Sequence, residues 1–283
     1  MTAQTSFAPG LYLVATPIGN AEDVTLRALR LLGAADVIAA EDTRVTAKLL
    51  ARHGIRTATT AYHEHNAARA GPALIERLKR GEIVALVSDA GTPLVSDPGY
   101  RLVQAALAAG LAVTALPGPS AVLAALALAG LPTDRFHFAG FLAAKPGPRR
   151  RQIAALAGVP ATLVLFESAQ RLPAALRDLA DGLGPRPAAV ARELTKLYEE
   201  VRRGDLTALA AHYAEAGAPR GELAIVIGPP RQEDEAPAGD LDRALALALE
   251  HMGTRQAAEL VASASGASRR ELYARALKLA QRR

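Results

Sequence analysis

Ile83-Val84-Ala85-Leu86-Val87-Ser88-Asp89-Ala90-Gly91-Thr92-Pro93-Leu94-Val95-Ser96-Asp97-Pro98-Gly99 is the stretch on which the reading of the fold turns. Its first five residues are an uninterrupted apolar run, the pattern of a strand buried on both faces. Asp97-Pro98 then reads as a helix start, and Gly110 as its stop. Strand, turn and helix in that order form the unit of a layered α/β protein. Ligands in open α/β sheets sit outside the carboxyl ends of the strands. Gly91 and Gly99 would let a backbone come close to such a ligand. Asp89 can accept hydrogen bonds from an amine or a hydroxyl. Asp97 is accounted for as a capping carboxylate, whereas residues 89–93 are poorly explained by turn formation alone.

The same rhythm extends in both directions. Further strands are expected at Leu11–Ala15, Val37–Ala40, Leu111–Leu116, Phe136–Ala139, Thr162–Phe166, Ala188–Ala191 and Leu223–Ile227. Asn20 reads as the cap of a helix carrying Val24, Ala28 and Leu31. Asp42 caps one through Leu50 that Gly54 ends, and Ser120 caps a small-residue helix ending at Gly130. The Pro- and Gly-rich stretch 117–132 is the candidate hinge. The expected architecture is α/β, with two lobes at residues 10–120 and 121–229. An acidic, Pro-containing linker at 230–240 follows, and then a small helical module at 241–283. That module carries expected helices at Thr254–Ala264 and Ser268–Arg283 with Gly266 between them, a helix–turn–helix pattern.

Composition narrows the function classes. The 283 residues suffice for two ordinary domains. There is no cysteine, which excludes disulfides, thiolate metal sites and a cysteine nucleophile. Aromatics make up 4 % and tryptophan is absent, which disfavours a single-strand binder built on stacked bases. The net charge of +5 and a pI near 9.7 tilt toward an anionic partner. The first ten residues lack the basic and apolar regions of a signal peptide, and no apolar run is long enough to span a membrane. A cytoplasmic location is expected.

Three other segments can carry chemistry. Ala15-Thr16-Pro17-Ile18-Gly19-Asn20 follows the first strand and would aim backbone N–H groups at a ligand. It has neither the dinucleotide glycine fingerprint nor a P-loop, so taken alone it reads as an ordinary turn. Glu41-Asp42-Thr43-Arg44 and Tyr62-His63-Glu64-His65-Asn66 each follow an apolar run. His63 and His65 are two apart rather than four, which argues against a zinc helix, and no metal is expected. Polar recognition or acid–base work is the alternative to solvated side chains. Lys145-Pro146-Gly147-Pro148-Arg149-Arg150-Arg151 is a compact basic run, readable as a nucleic-acid contact or as a solvated helix start. The segment 266–283, with six Lys or Arg and one Glu, leaves the same two readings open.

LYLVATPIGN (11–20), EDTR (41–44), YHEHN (62–66), SDAGTPLVSDPG (88–99), PGPSA (117–121), FESAQR (166–171), ARELTKLYEE (191–200) and GELAIVIG (221–228) occur in this order. Together they resemble the ribosomal RNA small-subunit methyltransferase I family, within the tetrapyrrole (corrin/porphyrin) methylase superfamily. The resemblance runs from Leu11 to Gly228, and the helical module is also similar. One departure is FESAQR, where the family commonly has Pro-His at Ala169 and Gln170. Those two side chains are therefore not expected to supply required chemistry.

The resemblance implies two α/β lobes with S-adenosylmethionine in the cleft between them. It implies transfer of the donor's methyl group to a cytidine 2′-hydroxyl of 16S rRNA in the small ribosomal subunit, by a homodimer. The donor site is then expected at Pro17, Asp89, Ala90, Gly91, Thr92, Ser96, Ser120, Ala121, Phe166 and Ala224, with Pro117-Gly118-Pro119 shaping its floor. Arg44 and Lys196 are the expected cations for a substrate phosphate or oxyanion, and His63 or Glu193 the expected base. Lys145, Arg149, Arg150 and Arg151 are the expected RNA contacts, on electrostatic grounds. A tetrapyrrole or other small-molecule methylase, and a non-catalytic ribosome assembly factor, are the competing readings, since fold alone does not fix function.

Overall fold

The computed structural model describes residues 6–230, 238–265 and 267–280. The chain divides into two compact units, residues 1–229 and 230–283. The first unit holds two five-stranded sheets.

The first sheet collects β1 (Gly10–Val14), β2 (Val37–Ala40), β3 (Thr59–Ala61), β4 (Ile83–Val87) and β5 (Val113–Leu116) in the order β3-β2-β4-β1-β5, all parallel. The crossovers are α1 (Leu26–Ala34), α2 (Thr43–Arg52), α3 (Ala67–Lys79) and α4 (Tyr100–Ala108). Both faces are covered, which is why the central strands read as continuous apolar runs. Val14, Ile38, Ala40, Ala85 and Val87 pack under α1 and α2 through Leu31, Leu32 and Leu50. Leu11, Val37, Ala39, Val84 and Leu86 pack under α3 and α4 through Leu74, Leu78 and Leu102.

The second sheet collects β6 (Phe136–Phe141), β7 (Thr162–Ser168), β8 (Pro187–Arg192), β9 (Glu200–Asp205) and β10 (Glu222–Ile227) in the order β6-β7-β10-β8-β9. Only β6 and β7 run parallel; the other neighbours are antiparallel. One face packs on α6 (Pro146–Leu156), α7 (Leu172–Leu183) and α8 (Leu206–Ala216). The other receives α5 (Ala121–Ala129), whose Val122, Ala125, Leu126 and Ala129 are buried against Val164, Ala189 and Val226. Ile18, from the first sheet's leading turn, joins that cluster.

Several boundaries differ from expectation. Asn20 caps only a short 3-10 turn at Ala21–Asp23, and α1 begins after Thr25, whose hydroxyl accepts from Ala28 N. Asp97-Pro98 does not open a helix. α4 starts at Tyr100 after Gly99, because Leu94 and Ser96 hold left-handed backbone (φ 74° and 66°) and keep the segment irregular. Within the stretch 117–132, α5 begins after Ser120 and ends at Gly130, as expected. The edge strands β3 and β9 were not expected.

The second unit is three helices, α9 (Ala238–Ala248), α10 (Thr254–Ser265) and α11 (Arg269–Ala280). They close on Leu245, Ala257, Ala258, Leu272 and Ala276. α9 begins inside the expected linker; residues 231–237, Gly266, Arg282 and Arg283 lie outside the described residues. Among the described residues no helix is long and apolar enough to cross a membrane.

Candidate active site

The carboxyl ends of β1 and β4 place ATPIGN and SDAGTP side by side. Thr16 and Gly91 exchange both backbone hydrogen bonds, at 2.9 and 3.0 Å, and Thr16 Oγ1 donates to Ser88 O at 3.1 Å. Gly91 needs its positive φ of 76° here, and a Cβ would sit 3.4 Å from Ile18 Cγ2. Thr92 Oγ1 donates to Pro119 O at 3.2 Å, which binds the loop to PGPSA. At Gly99 a Cβ would meet Leu86 Cδ2 at 2.6 Å, so only glycine passes that point.

These loops and the second sheet enclose a cavity of about 260 Å³, close to the lower bound for small-molecule sites, about 300 Å³. Ala90, Gly91, Thr92, Ser96, Ser120, Ala121, Phe166 and Ala224 line it, all expected donor-site positions. Pro17 and Asp89 do not. Asp89 is exposed; its Oδ1 accepts from Asp42 N at 2.9 Å and its own backbone N–H donates to Glu41 Oε2 at 3.4 Å.

Sequence reasoning missed other lining residues. Ile18, Leu194 and Ala191 supply apolar wall, and Asp97 and Glu222 are the carboxylate residues on this side, whereas the Glu167 carboxylate is turned to the other face of the sheet, where it pairs with Arg171. Phe141 faces Phe166 edge-on at 5.6 Å, and Phe138 does so at 4.9 Å. A bulge in β6 between Phe138 and Gly140 turns this strand. The five phenylalanines of the chain thus contribute three to one corner, a clustering that was visible only as β-strand spacing.

Asp97 is the most perturbed group in the cavity. Burial pushes its carboxyl up to about 6, against a hydrogen bond from Ser88 and helped by the charges of Glu41 and Asp89. Glu41 is also raised, chiefly by burial. Asp42 is held down at about 2 by hydrogen bonds from Arg44, 2.6 Å away. Arg44 itself is solvent-exposed and does not line the cavity.

The ARELTKLYEE loop closes the opposite side. Glu193 and Thr195 both adopt positive φ (50° and 65°). With Leu94 and Ser96, these are the non-glycine residues in that region among the described residues, and each belongs to a loop beside the cavity. Such backbone costs on the order of 1–3 kcal/mol per residue and persists where the surroundings over-determine it. Lys196 Nζ donates to Glu193 Oε1 and Glu222 Oε2, both at 2.9 Å. Burial lowers the ammonium's affinity for its proton, but the bonds to Glu222 and Glu193 outweigh this and hold it above its usual value. Glu193 accepts from Glu222 N and from Lys196, and lies below the usual carboxylate range. A carboxylate so satisfied is a weak proton acceptor at neutral pH. Thr195 Oγ1 accepts from Asn20 N at 3.0 Å, joining this loop to ATPIGN across the two sheets. His63 stands apart from the lining; its backbone N–H donates to Asn66 Oδ1 at 2.9 Å.

The basic run needs one correction. Arg149 is 5 % exposed, with Nε 2.7 Å from Asp178 Oδ2. It is an internal ion-pair partner rather than a phosphate contact, because position four of α6 faces α7. Lys145, Arg150 and Arg151 remain on the surface, and Arg150 also reaches Asp178, at 3.0 Å. Ala169 and Gln170 fall in a 3-10 turn outside the cavity.

The family profile for tetrapyrrole (corrin/porphyrin) methylases matches residues 10–210, which contain the first sheet and β6 to β9 of the second. The chain belongs to that family. A profile described as the RsmI C-terminal HTH domain matches residues 235–280. A protein of Mesorhizobium japonicum named ribosomal RNA small subunit methyltransferase I is 55 % identical over 96 % of this chain and 92 % of its own. The protein of the same name from Escherichia coli O157:H7 is 44 % identical over 95 % and 94 %. Among solved structures, uroporphyrin-III C-methyltransferase from Thermus thermophilus, complexed with S-adenosylhomocysteine, superposes with a TM-score of 0.53. It shares 25 % identity, over 77 % of this tetrapyrrole methylase chain and 96 % of its own.

Proposed function

We propose that this tetrapyrrole methylase is an S-adenosylmethionine-dependent methyltransferase that 2′-O-methylates a cytidine ribose in 16S rRNA of the small ribosomal subunit. The observation that carries this is chain-long identity to proteins named ribosomal RNA small subunit methyltransferase I, extending through the C-terminal module. The competing tetrapyrrole-methylase reading rests on solved structures that match only 77 % of the chain.

The cavity fits the donor by its chemistry. Apolar walls with the Phe166 and Phe141 rings suit a purine, and the carboxylate of Asp97 suits a cation. When bound there, the donor supplies a sulfonium methyl that is already electrophilic. The chain's part is then to orient, to exclude water and to manage one proton. Orientation of this kind can supply about 7–11 kcal/mol of barrier reduction. Ala90, Gly91, Thr92, Ser96, Ser120, Ala121, Phe166 and Ala224 hold the donor; Pro17 and Asp89 set the loops behind it. Lys196 is the fixed cation for the ribose oxygen and Arg44 the exposed cation for a substrate phosphate. His63 takes the proton, in preference to Glu193, whose carboxylate is engaged. Lys145, Arg150 and Arg151 meet RNA phosphates. The protein works in the cytoplasm, on the ribosome, as a homodimer.

Incubating small subunits with this protein and labelled donor, followed by mass spectrometry of nuclease-digested 16S rRNA, tests the reading. A methylated cytidine ribose is expected. Label confined to an added tetrapyrrole, or subunit binding without product, would reject it.

A further inference from the structure

The second unit carries a hollow of its own. Arg255 and Ala258 of α10 and Arg269, Arg270 and Tyr273 of α11 line a space of about 510 Å³. Arg269 and Arg270 lie four and three residues before Tyr273, so the three share one helix face. All four functional side chains are exposed. Arg269 is paired with Glu259 at 3.2 Å, but both partners are more than half exposed. A pair of that kind is weak and readily exchanged for a better anion. Arg255 and Arg270 have no ion-pair partner among the described residues. The hollow therefore gathers three guanidinium groups with no carboxylate among its lining residues, Glu259 and Glu271 standing at its margin, beside an aromatic ring that is 42 % exposed.

We infer that this hollow is an RNA backbone-binding site, in which Arg255, Arg269 and Arg270 grip phosphates and Tyr273 stacks on a base. Guanidinium forks match phosphate oxygens two at a time. A ring set among them suits a nucleotide better than an acidic peptide, which offers no face to stack on. The choice of RNA rests on the proposed substrate; the site itself is independent of the methyl-transfer cavity. It gives the helical module a binding role of its own.

The test uses the full chain and a short labelled RNA hairpin, titrated over a range of salt concentrations. The double variant Arg255→Gln/Arg270→Gln should bind at least about tenfold more weakly. The slope of log affinity against log salt should fall by roughly 1.4–1.8, the share of two phosphate contacts. Donor affinity and melting temperature should not change. Arg255→Lys/Arg270→Lys should keep the slope and lose only part of the affinity, which separates charge from fork geometry and covers the case of a misfolded Gln variant. Unchanged affinity and slope in the Gln variant would overturn the site. So would competition by polyglutamate that is relieved by the same substitutions while RNA binding is not. If wild-type protein binds the hairpin through this hollow yet leaves subunits unmethylated, the activity proposal fails and this one stands.

Discussion

Replacing Arg149 by methionine separates a structural arginine from its surface neighbours. The side chains of Arg149 and Asp178 are 6 % and 3 % exposed and approach to 2.6 Å. Removing one member of a buried pair costs about 3–5 kcal/mol, because the other charge stays buried. Arg150 still reaches Asp178 Oδ1 at 3.0 Å in the variant, so the loss expected is about 2–3 kcal/mol, or roughly 5–10 °C in the melting temperature of a unit this size. The pH dependence has a definite sign. Burial raises the Asp178 carboxyl, but the bonds and charges of Arg150 and Arg149 hold it below its usual 3.8. In the wild type the pair therefore contributes fully above pH 3.8, and its contribution fades as pH falls below that. In the variant the stranded carboxylate is relieved by protonation, so the gap between the two proteins should shrink on acidification. Urea unfolding followed by circular dichroism near pH 7 and pH 4 measures both. Arg151→Gln should cost under about 0.5 kcal/mol while lowering the salt slope of RNA binding. A loss below about 1 kcal/mol for Arg149→Met, or one independent of pH, would refute the ion-pair argument.

Asp97→Asn should stabilise the protein by about 1 kcal/mol at neutral pH, allowing for the partial exposure of a carboxyl raised from 3.8 to about 6. The folded state takes up this proton before the unfolded one does, so the cost is fully present above pH 6 and fades as pH falls toward 3.8; a gain that persists unchanged at pH 4 would count against it. In the wild type, donor affinity measured by calorimetry should fall below pH 6, and the Asn variant should lack that step. Gly19→Ala places a methyl 2.5 Å from Lys196 Cγ and 2.9 Å from Leu194 O. It should cost about 1–3 kcal/mol in unfolding experiments and weaken donor binding, and a neutral result would mean that the two loops separate freely. Asp89→Ala should weaken donor binding at least about tenfold, whereas Asp89→Asn, which keeps an acceptor for Asp42 N, should retain more of it. Unchanged titrations for Ala would remove the assigned role.

Two of the strands legible in the sequence owe this to a uniform environment. Val37–Ala40 and Ile83–Val87 lie at the sheet centre with both faces covered, so their apolar runs coincide with β2 and β4. β3 and β9 are edges. Thr59–Ala61 and Glu200–Asp205 become strands by pairing with a neighbour rather than by burying a pattern, and their composition conceals them. The donor positions came from motif resemblance; spacing alone would have stopped at a cleft. Asp97 was hidden because an aspartate before a proline reads as a helix cap, and only the left-handed turns at Leu94 and Ser96 free it to face the cavity. Arg149 was hidden because a run of like charges does not reveal which member a helix turns inward.

The position of β1 has a consequence during synthesis. This strand is the first made, yet its partners are β4, from Ile83, and β5, from Val113. A ribosome adding about 5–20 residues per second needs several seconds to supply the roughly 70 residues that separate β1 from its first partner. Throughout that interval the nascent chain carries the apolar segment Leu11–Val14 with open hydrogen-bonding edges on both sides. An enzyme proposed to act on ribosomes would thus itself emerge from one with an interior strand unprotected, the stage at which a chaperone at the exit tunnel would have most to shield.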